Sequence, residues 1–275
     1  MSFVHAHRCR VYALSFAAVF AAISGSAQTA PAPSAHEVIP PAPTTAEEQK
    51  AQRGLFEQDE KILRDWPNLG RYQADNAKVA PPAAGERRVV FMGDSITEAW
   101  MNHGTGASAA NPGFFPGKPW YDRGISGQTT PQMLLRFRQD VIDLKPAVVV
   151  IFAGTNDIAG NTGPITPEQT EGNIASMADL AKANGIKVVL CSVLPSYEFK
   201  WRPGREPAPK IVAINKWIKG YAEANHYPYV DFHTVMADER GGLPAKLSGD
   251  GVHPNPVGYA IMNPLVEAGI AEALK

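Results

Sequence analysis

Residues 147–157 read AVVVIFAGTND, an apolar run rich in β-branched side chains that ends in a polar turn. A run that is apolar on both faces is typical of a strand covered by helices on each side of a sheet. Similar short runs recur along the chain and predict further strands. The five predicted strands are Arg88–Met92, Trp120–Ile125, Ala147–Ala153, Ile186–Ser192 and Tyr227–Phe232.

Amphipathic segments of helical length lie between the later runs and after the last one. Because strands and helices alternate, the pattern predicts a parallel sheet with crossover helices on both faces, an α/β/α architecture. A single domain over 81–275 is the simplest interpretation. The predicted helices are Thr130–Leu144, Pro167–Asn184, Pro209–Ala224 and Asn255–Leu274.

Three N-terminal segments precede this domain. Residues 1–27 carry arginines, a short apolar run and small residues before the end, which predicts an export signal and a periplasmic or extracellular protein. The apolar run is shorter than the roughly 20 residues of a spanning helix, and an uncleaved anchor is the alternative. Residues 28–45 are rich in Pro and Ala and predict a linker. Residues 46–80 predict a helical extension whose helix, Ala46–Trp66, ends before a proline.

Composition gives no support to several classes of partner and excludes a disulfide scaffold. The 275 residues carry a formal net charge of -1, so the charge balance favours neither nucleic acid nor an anionic membrane as a partner. Of the two cysteines, Cys9 lies in the predicted leader, so the mature chain is left with Cys191 and has no internal disulfide. Cys191 sits in the apolar run KVVLCSVL and is predicted to be a buried, unreactive thiol.

Four polar segments fall where a parallel sheet binds its ligands, at the carboxyl ends of its strands. Three of them follow predicted strands, and the fourth precedes the last predicted helix. The segments are GDSIT at 93–97, GISGQTT at 124–130, AGTND at 153–157 and SGDGVHPN at 248–255.

These segments contain the groups that acyl transfer requires: a nucleophile, an imidazole, a carboxylate that orients it, and donors for an oxyanion. Ser95 precedes a short helix, whose N-terminus favours developing negative charge, although a serine there is also a common helix cap. His253 is the candidate base because Asp250 lies three residues earlier in a glycine-containing loop and is able to reach its ring. A loop histidine without such a partner is usually a solvated surface residue.

Two further residues suit an oxyanion site. Asn156 offers a side-chain amide, and Gly127 offers a backbone N–H that no side chain obstructs. The alternative for each is a simple turn residue, since Asn and Gly are common at strand ends for conformational reasons. The combination of all four polar segments favours the catalytic interpretation.

In combination, Ser95 in GDSIT, Gly127 in GISGQTT, Asn156 in GTND and His253 in DGVH resemble the four sequence blocks of the SGNH, or GDSL-type, hydrolases. The resemblance covers nearly the whole predicted domain, about 88–274. It implies a flavodoxin-like three-layer fold with a five-stranded parallel sheet, and it implies no metal or organic cofactor.

The resemblance also implies a role for each site residue. Ser95 is the nucleophile, His253 the base and Asp250 its orienting partner. Gly127 and Asn156 join the Ser95 backbone N–H in the oxyanion hole.

Neighbouring residues are expected to play lesser parts. Asp94 and Asp157 are expected to hold loops. Ser126 is a false candidate for the nucleophile, because it lacks the G-x-S-x-G pattern of the larger α/β-hydrolase family. Asp122 departs from the family pattern, in which Asn is common at this position, and the change is expected to alter a loop hydrogen bond.

Two loops are predicted to shape the pocket, Asn102–Trp120 and Ser196–Pro209. The second contains aromatic residues that could stack on a sugar and basic residues that could meet acidic groups. The alternative is that the aromatics merely anchor the loop. These residues are Tyr197, Phe199, Trp201, Lys200, Arg202 and Arg205.

The resemblance and the predicted export favour a serine esterase that hydrolyses short-chain acyl esters, above all O-acetyl esters on carbohydrates. Its partner would be a small-molecule or glycan ester. A sugar O-acetyltransferase would use the same residues, and a lysophospholipase or lipase is a further alternative, although no long apolar lid is visible. A glycan-binding protein would need no nucleophile–base pair.

Overall fold

The computed structural model describes residues 45–103 and 115–275, and within that part of the chain five parallel strands form one sheet. The strands are β1 (Val89–Gly93), β2 (Trp120–Gly124), β3 (Val148–Phe152), β4 (Lys187–Cys191) and β5 (Tyr229–Val230). Their order across the sheet is β2-β1-β3-β4-β5, which is the flavodoxin-like order. The predicted parallel sheet is therefore confirmed, with β2 at one edge and β5 at the other.

The described part of the chain contains nine α-helices. They are α1 (Ala46–Arg64), α2 (Gln73–Asn76), α3 (Ser95–His103), α4 (Thr130–Asp140), α5 (Thr155–Ala159), α6 (Pro167–Ala183), α7 (Pro207–Asn225), α8 (Phe232–Met236) and α9 (Pro256–Ala273). In the part of the chain that the structure describes, no helix is long and apolar enough to cross a membrane.

Successive strand residues point to opposite faces, and this alternation separates two cores. In β3, Val149 and Ile151 pack with α4, α6 and α7 on one face. Val148 and Val150 pack with α3, α8 and α9 on the other face. All five residues of β3 are buried, because helices cover the strand on both sides. The predicted three-layer α/β/α architecture is thereby confirmed.

Three predicted elements have different bounds in the structure. The predicted strand 227–232 is reduced to β5, because Asp231 caps α8 by accepting from the Thr234 N–H at 2.9 Å. The predicted helix 130–144 ends at Asp140, and a 3-10 turn at 142–144 follows. α7 begins at Pro207, so the last residues of the predicted loop 196–209 are helical.

Other predicted segments end elsewhere or are only partly described. The helix predicted over 46–66 ends at Arg64, and the one predicted over 255–274 ends at Ala273. The predicted leader at 1–27 and, except for Thr45, the predicted linker at 28–45 lie outside the described residues. Most of the predicted pocket loop 102–120 also lies outside them.

The segment before β1 contacts the end of β2 near the polar edge of the sheet. The Tyr72 hydroxyl donates to the Gly124 carbonyl at 2.5 Å, and Asn76 Nδ2 donates to Asp140 at 2.7 Å. Arg123 Nε donates in turn to Asn76 at 2.9 Å. These bonds join α2 to β2 and α4.

Candidate active site

Ser95 is the first residue of α3 and follows the end of β1 by two residues. α3 lies unusually close to the strand ends. A Cβ on Gly93 would overlap the Thr97 hydroxyl, and one on Gly124 would overlap the backbone N–H of Glu98. Both positions therefore require glycine, and this close approach presents Ser95 at the carboxyl edge of the sheet.

The N-terminus of α3 is capped by Asp94 rather than by Ser95. The Asp94 carboxylate accepts from the Ile96 N–H at 3.0 Å, which is the bond expected of a capping side chain. Asp94 is almost fully buried, and burial raises its pKa to about 6. The Ser95 hydroxyl is thus left free for another partner.

That partner is His253. The Ser95 Oγ lies 2.9 Å from His253 Nε2, and His253 Nδ1 lies 2.6 Å from Asp250 Oδ2. A hydroxyl, an imidazole and a carboxylate are therefore joined by two hydrogen bonds. The structure brings together three of the five predicted site residues in the order that nucleophilic catalysis requires.

The Asp250 loop explains why this carboxylate is charged. Its Oδ1 accepts from the backbone N–H of Val252 at 2.9 Å and of His253 at 2.8 Å, and the Ser248 hydroxyl donates to the same oxygen. Partial burial acts to raise the pKa of Asp250, but the hydrogen bonds from His253 and Val252 outweigh it and hold the pKa well below its ordinary value.

The charge on Asp250 determines which nitrogen of His253 carries the proton. An ionised carboxylate is only an acceptor, so the proton of the neutral ring resides on Nδ1 and points at Asp250. Nε2 then presents its lone pair to the Ser95 hydroxyl. This is the tautomer that a base for Ser95 must adopt.

Two hydrogen bonds between helices set the distance between Ser95 and His253. The Tyr259 hydroxyl on α9 donates to the Ile96 carbonyl on α3 at 2.6 Å. The Trp100 indole on α3 donates to Asn263 on α9 at 2.7 Å. Since His253 lies just before α9 and Ser95 begins α3, these bonds hold the two halves of the pair together.

Asn156 lies in α5, directly after β3, and its side chain is almost fully buried. Its Nδ2 donates to the Gln128 carbonyl at 3.0 Å and lies 3.3 Å from Asp94 Oδ2. Its Oδ1 accepts from Asn161 Nδ2 at 2.7 Å. The amide thus points toward the residue beside Ser95 and the residue beside Gly127.

Gly127 sits in the loop between β2 and α4 with a φ of 78°, a left-handed conformation that favours glycine. Its carbonyl accepts from Asn161 Nδ2 at 3.2 Å, so a single amide contacts both Gly127 and Asn156. Among the residues that the structure describes, neither the Gly127 N–H nor the Ser95 N–H donates to a protein group. Both donors are therefore available to a ligand at this edge.

A fully buried arginine, Arg136 of α4, stabilises the loop that carries Gly127. It donates to the Gly93 carbonyl at 3.0 Å, to the Gln128 side chain, and to Asp140 at 3.1 Å. It thus ties the end of β1 to the loop that carries Gly127. Sequence analysis missed Arg136, although its position on the apolar face of α4 was a signal, because a charge there needs buried partners.

Two residues that are expected to lie outside the catalytic set, Asp157 and Ser126, form hydrogen bonds with neighbouring segments. Asp157 accepts from the Thr130 N–H and hydroxyl, which holds the start of α4. Ser126 donates to Glu98 from both its N–H and its hydroxyl.

Asp122 and Cys191 are both buried. Asp122 Oδ1 accepts from the Gly124 N–H at 2.6 Å, whereas its Oδ2 is buried without a hydrogen-bond partner. Burial raises the pKa of Asp122 to about 7. Cys191 is buried as predicted, and burial raises the pKa of its thiol.

The aromatic residues of the 196–206 loop differ in exposure. Phe199 is fully buried against Ala159 and Val252, so it cannot stack on a sugar, and there the anchoring alternative is correct. Tyr197 is exposed and lies under the Arg240 guanidinium. Trp201 is 42% exposed, and its indole donates to Asn161 Oδ1 at 3.0 Å.

Basic residues of this loop lie at its surface. Lys200, Arg202 and Arg205 are exposed, and the Arg205 guanidinium lies beside Gly160 at the end of α5. Across 45–103 and 115–275, no group of three or more His, Cys, Asp or Glu side chains is placed to hold a metal ion.

Known proteins are similar to this chain in sequence and in fold. A model of the GDSL-like Lipase/Acylhydrolase family matches residues 91–261, a span that contains all five predicted site residues. A solved structure of a GDSL-like lipase from Bacteroides thetaiotaomicron is 50% identical to this chain. The comparison covers 75% of this chain and 98% of that one, with a TM-score of 0.70.

Two curated proteins are also similar over part of their length. The chain is 33% identical to the esterase TesA of Pseudomonas aeruginosa over 132 residues, which are 47% of this chain and 58% of that protein. It is 26% identical to an acetylxylan esterase of Xylanibacter ruminicola over 244 residues, which are 78% of this chain and 48% of that protein. The chain thus spans about half the length of these curated relatives.

Proposed function

The chain belongs to the GDSL-like lipase/acylhydrolase family and is a hydrolase, and from this premise we propose that it is a serine esterase for short-chain acyl esters. The proposed substrate class is the O-acetyl ester, carried on a carbohydrate. The observation that carries the proposal is the hydrogen-bonded series from Ser95 through His253 to Asp250.

In the proposed acylation, His253 Nε2 takes the Ser95 proton as Oγ forms a bond to the ester carbonyl carbon. The oxygen of the tetrahedral intermediate accepts hydrogen bonds from the N–H groups of Ser95 and Gly127 and from Asn156 Nδ2. Donors positioned before the charge develops lower the barrier without reorganisation. The Ser95 and Gly127 N–H groups meet this condition among the described residues, whereas Asn156 Nδ2 would exchange its 3.3 Å contact with Asp94 for one with the oxyanion. His253 then returns the proton to the alcohol oxygen as the carbon–oxygen bond to the alcohol breaks.

In the proposed deacylation, His253 takes a proton from water, whose oxygen attacks the acyl group on Ser95. The same three donors stabilise the second intermediate. The bond to Oγ breaks, the proton returns to Ser95, and the carboxylic acid leaves. Throughout, the ionised Asp250 stabilises the charged imidazole ring.

Two observations favour a carbohydrate ester. A relative similar over most of this chain is an acetylxylan esterase. The exposed Trp201 also lies two hydrogen bonds from the proposed oxyanion donor Asn156 and offers an aromatic surface beside the site. The proposal includes export, which rests on the leader predicted at 1–27.

The first experiment compares hydrolysis of p-nitrophenyl acetate, butyrate and octanoate, and of an acetylated xylo-oligosaccharide, by the wild-type protein and by Ser95→Ala. We expect turnover confined to the short acyl chains and lost in Ser95→Ala. A fluorophosphonate probe, located by mass spectrometry, should label Ser95. The matched control is Ser176→Ala, which removes a solvent-exposed hydroxyl from α6 and should leave turnover unchanged.

Other outcomes would change the assignment. Faster transfer of the acetyl group to an added sugar than to water would indicate an O-acetyltransferase. Preference for octanoate would favour the lipase alternative. A folded wild-type protein with neither turnover nor labelling would remove the esterase proposal.

A further inference from the structure

The amide of Asn156 has to be held in one orientation if it is to serve as an oxyanion donor. Rotating an amide by half a turn exchanges an NH₂ for an oxygen of nearly the same size, so hydrogen-bond partners decide its orientation. The Gln128 carbonyl requires a donor on one side of Asn156. On the other side, the buried Asn156 Oδ1 requires a donor from elsewhere, and that donor is Asn161.

Asn161 has the same ambiguity, and groups on both sides of its amide resolve it, the Gly127 carbonyl on one and the Trp201 indole on the other. The indole N–H of Trp201 is only a donor, so the Asn161 oxygen must face it, at 3.0 Å. The Asn161 NH₂ group then faces the Gly127 carbonyl at 3.2 Å and Asn156 Oδ1 at 2.7 Å. The donor-only indole at the rim thus acts together with the acceptor-only Gln128 carbonyl, Asp94 carboxylate and Gly127 carbonyl to fix the polarity of a series of amides that ends at the proposed oxyanion site.

Trp201 is held in place by more than this hydrogen bond. Its ring lies 4.9 Å from the ring of Phe199, and Phe199 is fully buried with Ala159 and Val252. Ala159 ends α5, which carries Asn156, and Val252 adjoins His253. The loop that bears Trp201 is therefore anchored against both sides of the active site.

We propose that Trp201 and Asn161 are positioning residues that orient the oxyanion donors Asn156 and Gly127. The expected effect on kcat rests on the proposed function, whereas the expected orientation of the Asn156 amide does not. Trp201 acts through Asn161, so its N–H should contribute to the reaction rate rather than to substrate affinity.

Trp201→Phe is the decisive variant, because it keeps an aromatic ring against Phe199 while it removes the N–H donor. Since losing a whole oxyanion donor costs roughly 100- to 1000-fold in rate, we expect a misoriented one to lower kcat about 10-fold, with KM nearly unchanged. Asn161→Asp keeps the acceptor for Trp201 and replaces the donor with a carboxylate oxygen, so its kcat should fall further. Trp66→Phe, at an indole of similar exposure, is the matched control and should keep the wild-type kcat.

A second measurement does not depend on turnover. The side-chain amide ¹H–¹⁵N resonances of Asn156, identified by their absence in Asn156→Asp, should shift in Trp201→Phe and remain unchanged in Trp66→Phe. The fluorophosphonate labelling rate of Ser95 should fall in parallel with kcat.

The outcomes separate the two proposals. A wild-type protein that lacks turnover counts against the esterase, and the Asn156 resonances then decide the role of Trp201. An active wild type whose Trp201→Phe variant keeps kcat and the Asn156 resonances overturns the positioning role. A raised KM with unchanged kcat would overturn it too, because Trp201 would then act by contacting substrate.

Discussion

At the residue scale, the proposed reaction depends on a single lone pair, that of His253 Nε2. The lone pair faces Ser95 because the ionised Asp250 holds the ring proton on Nδ1. Asp250 remains ionised because backbone N–H groups of its own loop donate to it. A short turn therefore selects the tautomer of a neutral ring whose reaction partner comes from a distant part of the chain.

Asp250→Asn is predicted to reverse the histidine tautomer. The amide oxygen of the new side chain would keep accepting from the Val252 and His253 N–H groups, so its NH₂ would face His253 Nδ1. The ring would then carry its proton on Nε2 and could not accept one from Ser95. We expect kcat on p-nitrophenyl acetate to fall by about 1000-fold or more with the fold intact, by analogy with the same change in serine proteases.

Asp238→Asn is the control for this variant. Asp238 also accepts from backbone N–H groups in a tight turn, those of Arg240 and Gly242, and within the described part of the chain it has no hydrogen bond to a proposed catalytic residue. Its variant should keep the wild-type kcat. If Asp250→Asn retained a tenth of the wild-type kcat, the assigned role of Asp250 would be wrong.

At the scale of elements, the site depends on how closely α3 approaches the sheet. Gly93 and Gly124 lie on neighbouring strands, and the first turn of α3 passes over both. The hydrogen bonds from Tyr259 and Trp100 then hold α9, and with it His253, against the same helix. Small residues on the strands and polar residues on the helices together determine the geometry of the pair.

Gly124→Ala is predicted to displace Ser95. Its methyl group would overlap backbone atoms of Asp94 and Glu98, which cannot rotate away as a side-chain terminus could. We expect kcat and the fluorophosphonate labelling rate to fall at least 10-fold, together with a lower Tm.

Gly172→Ala is the matched control for the Gly124 substitution. Gly172 lies inside α6, and an added methyl group would meet nothing within 4 Å. The variant should keep kcat and raise the free energy of unfolding by about 0.5 to 1 kcal/mol, because alanine loses less backbone entropy in a helix. A Gly124→Ala protein with wild-type kcat would contradict the proposed close approach.

At the scale of the whole molecule, three buried aspartates at the polar edge of the sheet lower the stability of the folded protein when they are ionised. Burial raises the pKa of Asp94 to about 6, that of Asp122 to about 7, and also that of Asp157. The folded protein therefore holds protons at pH values where the unfolded chain has lost them. Stability from these groups is fully present below their ordinary pKa and is lost as pH rises through the folded values.

Asp122→Asn is predicted to stabilise the protein at high pH. Its oxygen can still accept from the Gly124 N–H, and the neutral amide replaces a charge that burial and Glu98 disfavour and that Arg123 and Arg136 only partly offset. The new NH₂ would lie where Oδ2 has no hydrogen-bond partner, which takes back part of the gain. We expect the free energy of unfolding at pH 8 to rise by about 1 to 4 kcal/mol. The gain should shrink toward pH 4, where Asp122 is protonated in the folded state. Denaturant unfolding at several pH values measures this.

Asp143→Asn, at an exposed aspartate in the 3-10 turn after α4, is the control and should change stability little at any pH. An Asp122→Asn protein no more stable than wild type at pH 8 would show that the Asp122 carboxylate is not destabilising there.

The sequence by itself determined the features that depend on neighbouring residues. Apolar runs such as 147–153 predicted the strands, helical periodicity predicted most of the helices, and the two together predicted a covered parallel sheet. The Asp250–His253 contact was also predictable, because the two residues lie three apart in one loop. Their segments, with those of Ser95, Gly127 and Asn156, carried the family resemblance, since each motif lies within a few consecutive residues.

Only the tertiary structure decided the contacts between distant segments. Ser95 and His253 meet across 158 positions because the strand order and the bonds between α3 and α9 bring their loops together. Trp201 reaches Asn161 because its ring packs on the buried Phe199, whereas the aromatic pattern of the loop left both sugar stacking and simple anchoring open. The physical reason is that periodicity records which side of an element faces the core. The partner across that core is selected by packing, which no local pattern encodes.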